Sequence, residues 1–143
     1  SRLNSRAMIT NTEQLLEQYD VRHSTIEEPA GSLSGGNQQK LIIARELSRE
    51  PQLLIAVNPT RGLDVGAIEF IHSQLLAARA AGHAILLISY ELDEIRQLAD
   101  RVAVIHSGTI VGQAKTSALS ENEIGLLMAG ETVPGKEEML NAH

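Results

Sequence analysis

Three short stretches of this sequence gather residue types that handle phosphates or waters. "LSGGNQQ" (Leu33–Gln39) sets a hydroxyl, Ser34, before two residues without a Cβ, Gly35 and Gly36, and then an amide, Asn37. If a helix starts here, its free N–H groups and positive dipole end meet at that spot. An anion such as a phosphate could then approach closely. The same residues also make an ordinary Ser-capped helix start, and local chemistry leaves both readings open. "LLIAVNPTRGLD" (Leu53–Asp64) runs an apolar strand into a polar turn. Its end carries Val57 and Asn58, with no acid until Asp64. Val57 cannot coordinate anything. Asn58 can orient a water but can neither take its proton nor supply negative charge. Equally, Val57 is plain strand, Asn58 a turn residue before Pro59, and Asp64 a helix cap. The third stretch, Ser89-Tyr90-Glu91, closes another apolar run.

The elements that would position these residues follow from hydrophobic period and punctuation. Residues 1–10 read as polar and frayed. Asn11 with Gln14 forms a capping-box pattern before Leu15, Leu16 and Tyr19, so a short amphipathic helix is expected. Pro29 and Gly31 punctuate a loop over 20–31. Ser34 can cap a helix through Leu41, Ala44 and Leu47 that stops before Pro51. Leu53–Val57 reads as a buried parallel strand. Ile68, Ile71, Leu75 and Ala78 recur at helical spacing, with Asp64 and Gly82 as caps. Residues 84–89 form another strand, and 91–100 a helix with acids in its first turn. Residues 101–114 read as two strands joined at Ser107-Gly108. Ser120 with Glu123 opens a last helix ending near Gly130. Strand, helix, strand, helix, strand predicts an α/β layer with one parallel sheet, whose sites lie beyond the carboxyl ends of the strands.

Bulk properties narrow the function classes. The chain has 143 residues, no cysteine and a formal net charge of −6. That length supports a real core, and the missing cysteines exclude disulfides and thiolate metal sites. No basic face is visible for a phosphate backbone, and 2% aromatics offer little for stacking on bases. The five histidines show no metal-ligand spacing. No apolar run approaches a membrane span, and the first residues contain no signal-peptide core. Arg45 and Arg49 read as a solvated helix face.

"LSGGNQQKLIIAREL" resembles the signature motif of ABC-type ATPases, in a form typical of sugar and nucleoside importers. "NPTRGLDVGA" resembles the Walker B end and D-loop of that family, and "ILLISYELDEIRQLADRVAVIHSGTIV" its H-loop and terminal strands. The resemblance runs from about Thr12 to Gly130 in matching order. It implies the latter part of a P-loop NTPase (RecA-like) ABC domain, a parallel sheet with flanking helices, lacking the Walker A half. Residues 1–50 would be part of the helical subdomain, 51–130 the latter part of the RecA-like core, and 131–143 a polar tail. The chain would then be the C-terminal portion of a longer ATPase, within the second nucleotide-binding domain of a tandem importer protein.

By that resemblance Ser34, Gly35, Gly36 and Asn37 contact the γ-phosphate of an ATP bound to the partner domain. Asp64 belongs to the D-loop at the interface. The family's Walker B strand ends in Asp-Glu, for Mg²⁺ and the attacking water. Those positions are Val57 and Asn58 here, and the H-loop His falls at Tyr90. The implied function is a degenerate half whose signature completes the competent site elsewhere. ATP and Mg²⁺ would act in the full assembly, with none bound by this chain alone and no ATPase activity of its own. Expected partners are the first nucleotide-binding domain and transmembrane permease subunits, on the cytoplasmic face of the membrane, without nucleic acid. The chain itself is expected to self-associate through unpaired strand edges. Two other classes are a soluble ABC-type protein acting on ribosomes or DNA, and an interaction module that never meets nucleotide. Gly130–Lys136, "GETVPGK", imitates a Walker A loop, but Glu137 stands where that motif needs Ser or Thr. It is read as a decoy.

Overall fold

The computed structural model describes residues 4–141. They form two compact units that part after Ile88.

The first unit holds α1 (Ser5–Gln18), α2 (Gly35–Leu47), β1 (Leu53–Val57), α3 (Val65–Ala80) and β2 (Ala84–Ile88), with a 3₁₀ turn at Ala30–Ser32. Helix α1 starts well before Asn11, which corrects the expectation of a frayed start over 5–10. Asn4 caps it by accepting the Ala7 N–H at 3.2 Å. Thr12, inside the expected box, instead donates its hydroxyl back to the Met8 carbonyl at 2.9 Å, as mid-helix Thr does. Helix α3 buries Ala67, Ile71, Leu75 and Ala78, one stripe at helical spacing. Its end is a Schellman motif: Gly82, at φ +97, follows the last turn, and the His83 N–H reaches the Ala78 carbonyl at 3.1 Å. Strands β1 and β2 pair in parallel, Leu53 with Ala84 through Val57 with Ile88.

Strand β1 is buried on one face only. Leu54 and Ala56 point inward, whereas Leu53, Ile55 and Val57 are more than half exposed beside exposed Leu86 and Ile88. The sequence suggested burial on both faces, because a run without polar residues carries no sign of which face is covered.

The second unit holds α4 (Leu92–Leu98), β3 (Arg101–His106), β4 (Thr109–Lys115), a 3₁₀ turn at Thr116–Ala118, α5 (Glu121–Met128) and α6 (Glu137–Asn141). The β3–β4 hairpin turns on Ser107 and Gly108, both at positive φ, the two-residue geometry that matches strand twist. Strand β3 was expected in one sheet with the other two. It forms the expected hairpin with β4, across a two-residue loop of little entropic cost, and that pair is a sheet of its own. The residues expected as a polar tail also differ. Val133 and Leu140 are buried in the core formed by Val102, Val104, Ala114, Leu119, Ile124 and Leu127. Gly112 lets Leu127 and Leu140 approach β4, since a Cβ there would lie 3.1 Å from Leu127. Within the first unit α2 packs on α3, and α3 on β2.

The capping box of α5 is present, with Ser120 and Glu123 bonded reciprocally. Lys136 also pairs with Glu123 at 2.7 Å and donates to the Ala118 carbonyl at 2.8 Å. The last residue of the Walker A look-alike is thus engaged inside the second unit.

Two outcomes follow from these contacts. The Lys136 hydrogen bond, with those from Ser120, lowers the Glu123 carboxyl to about 2. Because the folded value is depressed, the bond stabilises above the ordinary carboxylate range, and its contribution is lost as pH falls towards 2. An NMR titration should find the Glu123 midpoint near that value, and Lys136→Met should return it towards 4.5. The exposed apolar face of β1–β2 should make the isolated chain self-associate. Light scattering should detect oligomers that Ile55→Lys disperses, and a concentration-independent monomer would refute this.

Candidate functional site

The start of α2 is built on Ser34, which caps the helix with extended backbone. Its Oγ accepts the Asn37 side-chain Nδ2–H at 3.0 Å and, more loosely, the Asn37 backbone N–H at 3.4 Å. Gln38 braces the approach by donating to the Leu33 carbonyl at 2.7 Å. Ser34 and Gly35 are exposed, and Gly36 and Asn37 half-buried. The four residues therefore present a helix start that an anion can reach, as their order suggested.

Gly36 leaves little room for a side chain. A Cβ there would meet the Ala67 Cβ at 3.1 Å and an Asp64 carboxylate oxygen at 3.6 Å. This close approach lays the start of α3 against the start of α2. Asp64 caps α3, its Oδ1 accepting the Ala67 N–H at 2.9 Å. The structure thus brings Asp64 beside Gly36 of the run Ser34, Gly35, Gly36 and Asn37, from which it stands far apart in sequence.

The turn between β1 and α3 starts at Asn58, whose φ is +45. Asn tolerates this left-handed region better than most residues. Its N–H donates to the Ile88 carbonyl at 2.7 Å, extending the β1–β2 ladder by one bond, and its carbonyl accepts from Arg61 at 3.2 Å. Val57 is exposed at the strand end and offers no oxygen. The Val57 side chain offers no oxygen and that of Asn58 only a neutral amide oxygen, so neither supplies the carboxylate by which a protein usually holds Mg²⁺. Among the described residues no group of three or more His, Cys, Asp or Glu could hold a metal ion. Tyr90 lies in the second unit, 73% exposed.

Residues that the sequence reading passed over lie behind the signature. Lys40 is buried on α2, donating to the Asp20 carbonyl at 3.0 Å and pairing with its carboxylate at 2.6 Å. The same ammonium lies 4.5 Å from the Phe70 ring centroid. The bond and charge of Lys40 hold the Asp20 carboxyl below its ordinary range. Asp20 itself is at φ +48, directly after α1. Beyond it, Glu28 organises the loop, accepting the Ser24 N–H at 2.6 Å and the Ser32 hydroxyl at 2.8 Å. The Ser24 bond first, then Ser32, lowers its carboxyl. A sequence signal for Lys40 existed, because it shares the buried stripe of α2 with Ile43 and Ala44. Arg45 and Arg49 pair with Glu46 on the exposed side of α2. No helix among the described residues is long and apolar enough to cross a membrane.

Comparisons with known proteins bear on the family and the fold. The family model described as ABC transporter matches residues 3–61. The guanosine import ATP-binding protein NupO of Bacillus subtilis (strain 168) is 52% identical over 130 residues, 91% of this chain and 26% of that protein. The nucleoside import ATP-binding protein NupA of Lactococcus lactis subsp. cremoris (strain MG1363) is 51% identical, covering 93% and 25%. The ribose import ATP-binding protein RbsA 2 of Rhizobium meliloti (strain 1021) is 41% identical, covering 98% and 27%. The chain spans about a quarter of the length of these relatives. In fold it matches the ADP conformation of an ATP-binding cassette of an ABC transporter, with TM-score 0.64 and 25% identity over 94% of this chain and 49% of that one.

The Asp64 cap is open to direct measurement. Asp64→Ala should cost about 1 kcal/mol in urea unfolding. Asp64→Asn, whose amide oxygen can still accept the Ala67 N–H, should cost much less.

Proposed function

Because this chain belongs to the ABC transporter ATPase family, we propose that it is part of the nucleotide-binding subunit of an importer of sugars or nucleosides. Its signature, Ser34, Gly35, Gly36 and Asn37, completes an ATP site whose phosphate-binding loop lies on a partner domain. That partner is a first nucleotide-binding domain of the same polypeptide. Asp64, adjoining Gly36, faces the junction between the two domains. The subunit acts beneath transmembrane permease subunits, at the cytoplasmic face, and needs no nucleic acid. The relatives named for guanosine, nucleoside and ribose import support this substrate class.

One observation carries the division of labour. The signature retains an accessible hydroxyl at a helix start, while the end of β1 has no carboxylate at Val57 or Asn58. Donors that could stabilise charge on a phosphate are kept, and acids that would hold Mg²⁺ and polarise water are not. This half therefore assists hydrolysis at the partner's site and hydrolyses poorly at its own. Tyr90 cannot replace a histidine as a cationic contact, which fits the same division.

Substitution in the full-length protein with its permease tests this. Ser34→Arg should lower transport-linked ATP hydrolysis by about a hundredfold or more. Asn58→Gly, which accepts the positive φ, should leave the rate near that of the unaltered protein. Equal and severe loss from both would sink the proposal, as would recovery of nucleic acid in place of a permease.

A further inference from the structure

The Asn37 side chain is used within its own chain, and its orientation is determined. Its Oδ1 accepts the Arg22 N–H at 2.9 Å, while its Nδ2 donates to Ser34 Oγ at 3.0 Å. Turning the amide over would set Nδ2 against a backbone donor, so only one orientation satisfies both bonds. The Ser34 hydroxyl then accepts twice, from Nδ2 and from the Asn37 N–H. A hydroxyl has two acceptor lone pairs and one proton. With both acceptor positions used, the proton is what remains to be given outward.

The Arg22 N–H that orients Asn37 is itself held in place. It lies two residues after Asp20, the residue that buried Lys40 grips by carbonyl and carboxylate. Val21, between them, is buried. Lys40 and Asn37 are three apart on α2, one above the other on the same side. They fasten the 20–22 segment to the helix at two points. One continuous series of bonds therefore runs from Lys40 through Asp20–Arg22 and Asn37 to Ser34.

We infer that Asn37 and Lys40 are positioning residues that fix the Ser34 hydroxyl as a hydrogen-bond donor to a phosphate oxygen. Asn37 occupies the acceptor positions of the hydroxyl, and Lys40 holds the segment that orients Asn37. This rests on the reading that Ser34 meets a phosphate, and it moves Asn37 from a phosphate contact to a support for one.

A double-variant cycle in the full-length protein with its permease tests the idea, reading kcat and KM for ATP alongside thermal melting. Ser34→Ala should reduce kcat/KM by tenfold to about a hundredfold, the effect of one hydrogen bond to a charged group. Asn37→Ala should lose a comparable factor alone and little more when Ser34 is already alanine. Lys40→Met, a second route that leaves Asn37 untouched, should behave likewise, with Lys40→Arg recovering part of the rate. Multiplied losses in the Ser34→Ala background would overturn the positioning role while leaving the phosphate reading intact. No loss from Ser34→Ala alone would overturn the phosphate reading and the inference with it.

Discussion

A Cβ at position 36 would come within 3.1 Å of the Ala67 Cβ, so the glycine there lets α2 and α3 lie start against start without crowding. Much of the first unit depends on this contact. It sets two helix N-termini side by side, which concentrates two positive dipole ends in one place. Asp64 offsets one of them by capping α3. The start of α2 is capped by a neutral hydroxyl, and the other carboxylate oxygen of Asp64 lies beside Gly36 in its first turn. The one carboxylate thus adjoins both helix starts, while the backbone N–H of Ala67 takes only its Oδ1.

The features legible in the sequence were those fixed by neighbours in the chain. Ser34, Asp64 and Ser120 cap the helices expected of them, because a cap needs only a side-chain oxygen three residues before an amide. The Ser107-Gly108 hairpin was equally readable, since its turn geometry is local. Features that depend on distant partners were not. Helix α6 is short, and Leu140 is buried among residues far from it in sequence, beside Gly112 of β4. Strand β1 contains no polar residue to mark its exposed side. The cap at Asn4 was missed because a stronger-looking capping box stood further along.

The same distinction applies to the site. The identities of Ser34, Gly35 and Gly36 mark a capped helix start without any structure, one that local chemistry leaves open to a phosphate or to none. Asn37 reads from sequence as one more polar group aimed at the ligand, and nothing local says that Arg22 will claim its oxygen. The Lys40–Asp20 pair spans the loop after α1 and sits over Phe70 of α3, so it exists only once three segments have come together. A charged residue in an apolar stripe was the one available clue.

Asn58 joins the two lines of reasoning. From sequence it marks a missing acid. In the fold it occupies a left-handed turn, where asparagine is among the more tolerant side chains, and it passes the ladder from β1–β2 into the Arg61 turn. Its backbone therefore has a structural task independent of what its side chain could catalyse. The following residues, Pro59 and Thr60, are buried, and Thr60 accepts the Leu63 N–H just before Asp64. Exchanging a carboxylate for an amide at position 58 leaves this path from strand to cap to Gly36 intact. Hydrolytic groups at the end of β1 can thus be absent without disturbing the helix start that carries Ser34.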